Sequence, residues 1–92
     1  MVGFTQTGKR VLLTGQIPRQ TGLYWMCDAD TVAVMIVNVC WDGSGLFARE
    51  LVSGETFSES DFRDFLWSEA SEKDAESMRQ VHTQLKLQQS ET

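Results

Sequence analysis

The sequence predicts an α+β domain, in which a small antiparallel sheet of three or four strands is followed by a C-terminal helix. Residues 10–53 contain β-forming segments separated by turn residues. Residues 58–88 contain apolar side chains at helical spacing and no proline. With 92 residues, 41% of them hydrophobic, the chain is expected to form a single domain over residues 1–92.

The strands are predicted from β-forming residues bounded by glycine and aspartate. RVLLTG at 10–15 is a first strand, and GLYWMC at 22–27 is a second. VAVMIVNVCW at 32–41 is the strongest strand and is expected to be central. DGSG at 42–45 predicts a tight turn, because Asp and Gly tolerate positive φ, and LFARELVSG at 46–54 then returns along the sheet.

The two predicted hairpins define a register. A tight DGSG turn pairs Trp41 with Leu46 and Val39 with Ala48, and a turn at DADT pairs Cys27 with Val32 and Trp25 with Val34. Alternation then makes both sheet faces apolar. One face carries Leu23, Trp25, Val32, Val34, Ile36, Cys40, Phe47 and Leu51. The other carries Tyr24, Met26, Ala33, Met35, Val37, Val39, Trp41, Leu46 and Val52. A second helix beyond Ser71, the N-terminal segment or another molecule must therefore cover the second face.

Helix is predicted to begin near Ser58. Ser58 is a good N-cap, Asp61 three residues later is close to a capping box, and Phe57 with Phe62 has the spacing of a hydrophobic staple. An apolar stripe with helical period then follows at Phe62, Phe65, Leu66 and Ala70. Ser71 and Asp74 repeat the capping pattern, which leaves a break or kink near Ser71 open.

Composition argues against several function classes. A net charge of −5 disfavours nucleic acid and anionic membranes as partners. One histidine, His82, and two separated cysteines, Cys27 and Cys40, do not provide a zinc site. We predict no catalytic residues, no metal, no cofactor and no enzymatic activity. The N-terminus has no signal-peptide pattern, so we expect a cytoplasmic protein with reduced thiols.

The acidic run between Glu55 and Glu76 is the leading candidate site, although a merely solvated helix face is the simpler interpretation. The predicted partner-binding residues are Asp61, Asp64, Trp67, Glu69 and Glu72. Trp67 is expected to be a partly exposed apolar anchor, and the partner to be a protein with a basic surface. The alternative interface is the spare sheet face with Tyr24, Met35, Val37 and Trp41, buried in a homodimer.

The segment IPRQTGLYWMC, followed by an apolar strand and SGETF, resembles small uncharacterised β-rich proteins encoded by bacteria, phages and other mobile elements. The resemblance covers about residues 17–67 and defines no functional residues. It implies a protein that binds and blocks host machinery, as anti-CRISPR proteins do. The leading hypothesis is thus a non-enzymatic protein-binding module. The alternatives are a self-associating structural protein and, third, a small enzyme or ligand carrier.

Overall fold

The computed structural model describes residues 2–5, 8–28, 30 and 34–90, with side chains described as far as residue 84. Its elements are β1 (Val2–Phe4), β2 (Arg10–Leu12), β3 (Gly22–Asp28), β4 (Val34–Trp41), β5 (Leu46–Glu50), β6 (Thr56–Ser58), a 3₁₀ helix (Glu59–Asp64), β7 (Phe65–Glu69) and α1 (Glu72–Ser90). Five strands form one antiparallel sheet in the order β6-β5-β4-β3-β7, and β1 pairs with β2 in a separate ribbon. The class is α+β as predicted, but the described sheet is larger than the expected three or four strands.

The β4–β5 hairpin has the predicted register. Trp41 pairs with Leu46 and Val39 with Ala48, and β4 is the central strand. The Asp42 carboxylate accepts hydrogen bonds from the amides of Ser44 and Gly45, at 2.8 and 2.9 Å. Gly43 has a φ of 95°, which a side chain would strain. Local turn chemistry therefore sets this register.

The β3–β4 register differs from the prediction by two residues. Trp25 pairs with Ile36 and Cys27 with Val34, rather than with Val34 and Val32. The predicted register of this hairpin is wrong, whereas residues 29 and 31 of the predicted DADT turn lie outside the described residues. A shift of two residues keeps every side chain on its predicted face. The predicted positions of Val32 and Ala33 lie outside the described residues.

The predicted helix over residues 58–70 is wrong. A six-residue 3₁₀ helix is followed by β7, which pairs antiparallel with β3. In that pairing Cys27 lies opposite Leu66, and Trp25 opposite Ser68. A short apolar run fits either a helix or a strand, and pairing with β3 provides hydrogen bonds that an open sheet edge would lack. The helix that does form begins beyond Ser71, at the second capping pattern.

Each face of the sheet has its own core. The first packs against α1 and the β2 segment; its buried members are Val11, Leu13, Trp25, Cys27, Val34, Ile36, Ala75 and Met78. The second is closed by the 3₁₀ helix; its fully buried members are Met26, Val37, Val39, Ala48, Phe62 and Trp67. The protein's own 3₁₀ helix thus contributes to covering the second apolar face. No helix in the described part of the chain is long and apolar enough to cross a bilayer.

Candidate interaction surfaces

Trp67, the predicted apolar anchor, is buried. Its side chain is 2% exposed, its indole N–H donates to the carbonyl of Phe62 at 2.9 Å, and its ring lies 4.9 Å from the Phe62 ring. The prediction of partial exposure is therefore wrong. Trp67 lies on a strand rather than at the edge of a helical stripe, so alternation directs its side chain into the second core. In this fold it is part of the core and not of the surface.

The predicted acidic residues do not form one stripe. Asp61 and Asp64 lie on the 3₁₀ helix over the second core, whereas Glu72 lies on α1, which packs against the first core. Glu69 lies at the end of β7 between them. The carboxylate of Asp61 accepts the Ser58 hydroxyl at 3.0 Å, so it also has a local structural role. Strand β7 separates the 3₁₀ helix from α1, so these acidic residues do not share one helix face.

The alternative interface is largely covered by the protein itself. Val37 is fully buried, and Tyr24 and Met35 are half-buried against the second core. Only Trp41, at the end of β4, is well exposed, at 62%. The face is not spare, because Phe62 packs onto it. Trp41 is the one residue of the predicted set whose side chain is largely accessible in this fold.

The structure shows an apolar surface that sequence reasoning missed: the outer face of the N-terminal ribbon, formed by β1 and β2. Val2 pairs with Leu12 and Phe4 with Arg10, which places the four side chains on one face. Val2, Phe4 and Leu12 are 37%, 59% and 66% exposed. Together with Trp41 they are the exposed large hydrophobic residues among those the structure describes. The available signal was Leu12, which alternates with the core residues at 11 and 13 and must therefore point outward.

The ribbon is held firmly on the domain. Its inner face buries Val11 in the first core, which also contains Ala75 and Met78. The Lys9 ammonium lies 2.7 Å from the Asp74 carboxylate at the start of α1. Just beyond β2, Thr14 exchanges two backbone hydrogen bonds with Trp67, at 2.9 and 2.7 Å. The outer face is therefore presented by a pre-ordered element rather than by a loose terminus.

The Lys9–Asp74 contact also affects the pKa of Asp74. Burial disfavours the charged carboxylate of Asp74, but hydrogen bonds from Lys9 and from Ser71 outweigh it and lower the pKa of Asp74 below its ordinary value. Asp74 is thus ionised at neutral pH and neutralises Lys9. Arg10 makes no ion pair with any residue that the structure describes. Within the part of the chain that the structure describes, Arg10 on the outer face is therefore the ribbon cation without an ion-pair partner.

A shallow groove adjoins the ribbon at Leu12. It has a volume of about 470 Å³, and its lining includes Leu12, Ile17, Arg19, Tyr24, Trp67 and Glu69. The Tyr24 hydroxyl donates to the carbonyl of Gln20 at 3.2 Å. Burial and the negative charge of Glu69 raise the pKa of Tyr24, so this hydroxyl stays protonated at neutral pH. The groove thus adds hydrogen-bonding groups to the accessible surface beside the ribbon.

Among the residues that the structure describes, no three His, Cys, Asp or Glu side chains cluster in a way that could hold a metal ion. The chain matches none of the protein-family models, curated proteins or solved structures with which it was compared.

Proposed function

We propose that this chain is a non-enzymatic protein-binding module that docks a protein partner on the outer face of the N-terminal ribbon. The observation that carries the proposal is the grouping of Val2, Phe4 and Leu12, all exposed, on one face of a firmly held ribbon. A contiguous exposed apolar patch with a polar rim is typical of interaction sites. Arg10 within this face and the groove beside Leu12 provide the polar surroundings.

The energetics favour this surface over the predicted acidic site. Completing the burial of Phe4 and Leu12 contributes about 1–2 kcal/mol each, at roughly 25 cal/mol per Å² of apolar surface. Because the ribbon is already ordered, little conformational entropy is lost on binding. Exposed carboxylates such as Asp64 contribute mainly to association rate and specificity. Binding to a partner with a basic surface through the acidic residues stays a prediction, now without Trp67 as its anchor.

We also propose a biological role. An inhibitor of host machinery from a phage or another mobile element is the role that the resemblance of residues 17–67 implies, and a small binding module suits it. That resemblance ends before α1 and does not include the ribbon. The biological setting therefore rests on the resemblance, while the binding surface rests on the exposure of the ribbon.

Self-association is the second candidate, favoured by Trp41. This large aromatic side chain is 62% exposed beside the turn at Asp42, and two copies could bury it against each other. The mass in solution, measured by light scattering, tests this candidate directly. A dimer that Trp41→Lys converts into a monomer supports it, and a monomeric wild-type protein contradicts it.

The binding proposal is tested by affinity capture from the source cell with three proteins: the wild type, Leu12→Lys and Trp41→Lys. The two variants are matched, because both replace a large apolar side chain of similar exposure, 66% and 62%. We expect a captured protein that the wild type and Trp41→Lys retain and that Leu12→Lys loses. Circular dichroism must show that both variants fold. Equal capture by Leu12→Lys would contradict docking on the ribbon.

A further inference from the structure

We infer that the segment of the partner bound by the ribbon is an extended strand, with alternating apolar side chains and a carboxylate, which pairs with the outer edge of β1. This inference rests on the proposed function and specifies how the partner binds. In such β-strand addition, the backbone provides affinity and alternate side chains provide specificity.

Among the strands that the structure describes, β1 pairs only with β2, so its other edge has no strand partner there. The Thr5 amide donates to the Lys9 carbonyl at 3.0 Å, so this pair is hydrogen-bonded, and alternation makes Gly3 with Val11 the next such pair. Val2 and Phe4 are then the non-hydrogen-bonded positions, whose N–H and C=O groups point away from β2. Outside the β1–β2 ladder, no backbone hydrogen bond between described residues involves Val2 or Phe4. Their outward groups can receive another strand.

The same two residues present their side chains to an added strand. Val2 and Phe4 lie on the outer face, with Leu12 and Arg10 beside them on β2. A strand paired with β1 would place every second side chain about 5 Å from Val2 or Phe4. Apolar side chains at those positions would extend the cluster that Leu12 begins. The proposed segment therefore has apolar side chains at alternate positions.

The charge of the ribbon favours an acidic partner segment over a second copy of β1. An added strand lies two strand spacings, about 10 Å, from β2, a gap that an arginine and a glutamate side chain together can span. Arg10 has no ion-pair partner among the described residues, whereas Lys9 is paired with Asp74. A carboxylate opposite Phe4 therefore complements the ribbon. A second copy of β1 has no acidic residue within Val2–Phe4 and lacks this complement.

Proline and alanine variants separate backbone pairing from side-chain contact. Val2→Pro and Phe4→Pro each remove one outward N–H, and they leave the β1–β2 ladder intact. Val2→Ala and Phe4→Ala are the matched controls, because they remove the same side chain and keep the N–H. The probe is a short blocked peptide of alternating valine and threonine with one central glutamate, titrated into ¹⁵N-labelled protein. A second peptide has lysine in place of the glutamate.

We expect the glutamate peptide to shift the amide signals of Val2 and Phe4. We expect each proline variant to bind it about fivefold more weakly than its alanine control, which corresponds to one lost hydrogen bond. The lysine peptide should bind to the wild type more weakly than the glutamate peptide does. The two peptides should bind to Arg10→Gln with equal affinity.

Several results would overturn the inference. Equal affinities of the proline and alanine variants would exclude strand pairing, and equal affinities of the two peptides for the wild type would exclude the carboxylate. If the glutamate peptide did not bind, the inference would be overturned. Capture that depends on Leu12 would still support the proposed function. A wild-type dimer that Val2→Pro dissolves would make a second copy the occupant. Only capture unaffected by Leu12→Lys would overturn the proposed function itself.

Discussion

The indole N–H of Trp67 donates to the backbone carbonyl of Phe62 at 2.9 Å, and their rings lie 4.9 Å apart. This contact joins the 3₁₀ helix to strand β7 and helps to close the second core. It also explains why a tryptophan beside an acidic run is not on the surface. The polar atom of a large aromatic side chain is satisfied inside the protein, so its burial is favourable.

We predict that Trp67→Phe lowers the free energy of unfolding by about 2 kcal/mol. The Phe62 carbonyl loses the indole donor and keeps only the Phe65 amide, and a small cavity forms. Urea denaturation followed by circular dichroism measures this change. Trp41→Phe is the matched control at an exposed site and should change stability by less than about 0.5 kcal/mol. Equal effects of the two substitutions would contradict the packing described for Trp67.

The two capping serines should differ in importance. The Ser71 hydroxyl accepts the Asp74 amide at 3.2 Å, and the Asp74 carboxylate accepts the Ser71 amide at 3.0 Å, which is a reciprocal capping box on α1. Ser71→Ala should cost about 1 kcal/mol. Ser58→Ala removes an exposed hydroxyl bound to Asp61 at the start of a six-residue 3₁₀ helix and should cost about 0.5 kcal/mol. Thermal unfolding ranks the two variants, and the reverse order would contradict this assignment.

Stability should depend on pH through Asp74. Its pKa is lowered in the folded protein, since hydrogen bonds from Lys9 and Ser71 outweigh the effect of burial. As the pH falls, the unfolded chain binds the proton first, so the stabilisation is complete above the unfolded pKa of about 4 and is lost as the pH falls through the lower folded value.

Lys9→Met should therefore reduce the stability that is lost on acidification. Urea denaturation at several pH values between neutral and acidic measures the difference from the wild type. The exposed Arg19→Met, which removes a cation with no described ion pair, is the control for net charge. If the wild type and Lys9→Met lost the same stability on acidification, this ion pair would not be coupled to folding.

The two thiols should react at different rates. No disulfide joins Cys27 and Cys40; Cys27 is buried and Cys40 is half-buried. Burial, with the neighbouring charge of Asp28, raises the pKa of the Cys27 thiol, so its thiolate is scarce at neutral pH. Alkylation followed by mass spectrometry should modify Cys40 first and Cys27 only in denaturant. Rapid modification of Cys27 in the folded protein would contradict its burial, and Cys40→Ser assigns the faster site.

Charge reversal can separate the two binding surfaces once a partner has been captured. If the ribbon binds an acidic strand, Arg10→Glu should weaken binding at least about tenfold, a change typical of a lost charge pair at an interface. If the acidic residues steer a basic partner, Asp64→Lys and Glu72→Lys should slow association and reduce its dependence on salt. Surface plasmon resonance at low and high salt measures both effects. Unchanged kinetics in the acidic variants would leave those residues only a solubilising role.

Local chemistry in the sequence was sufficient for the centre of the sheet. The Asp42 and Gly43 turn determined the β4–β5 register, and alternation assigned the described side chains of β3 and β4 to their faces even though the β3–β4 pairing was displaced by two residues. The requirement that a second apolar face be covered also followed from alternation. These features depend on residues close together in the chain.

The tertiary structure decided what residues 58–70 and 2–12 become. Phe65, Leu66 and Trp67 have a spacing compatible with a helix, and only their pairing with β3, about 40 residues earlier, makes them a strand. Val2 and Phe4 became a strand face only by pairing with β2, whose Val11 belongs to the same core as Ala75 and Met78. In both places the deciding contacts join residues far apart in sequence, and local propensity is too weak to select among them. The exposed ribbon, and with it the proposed binding surface, is therefore a property of the tertiary fold.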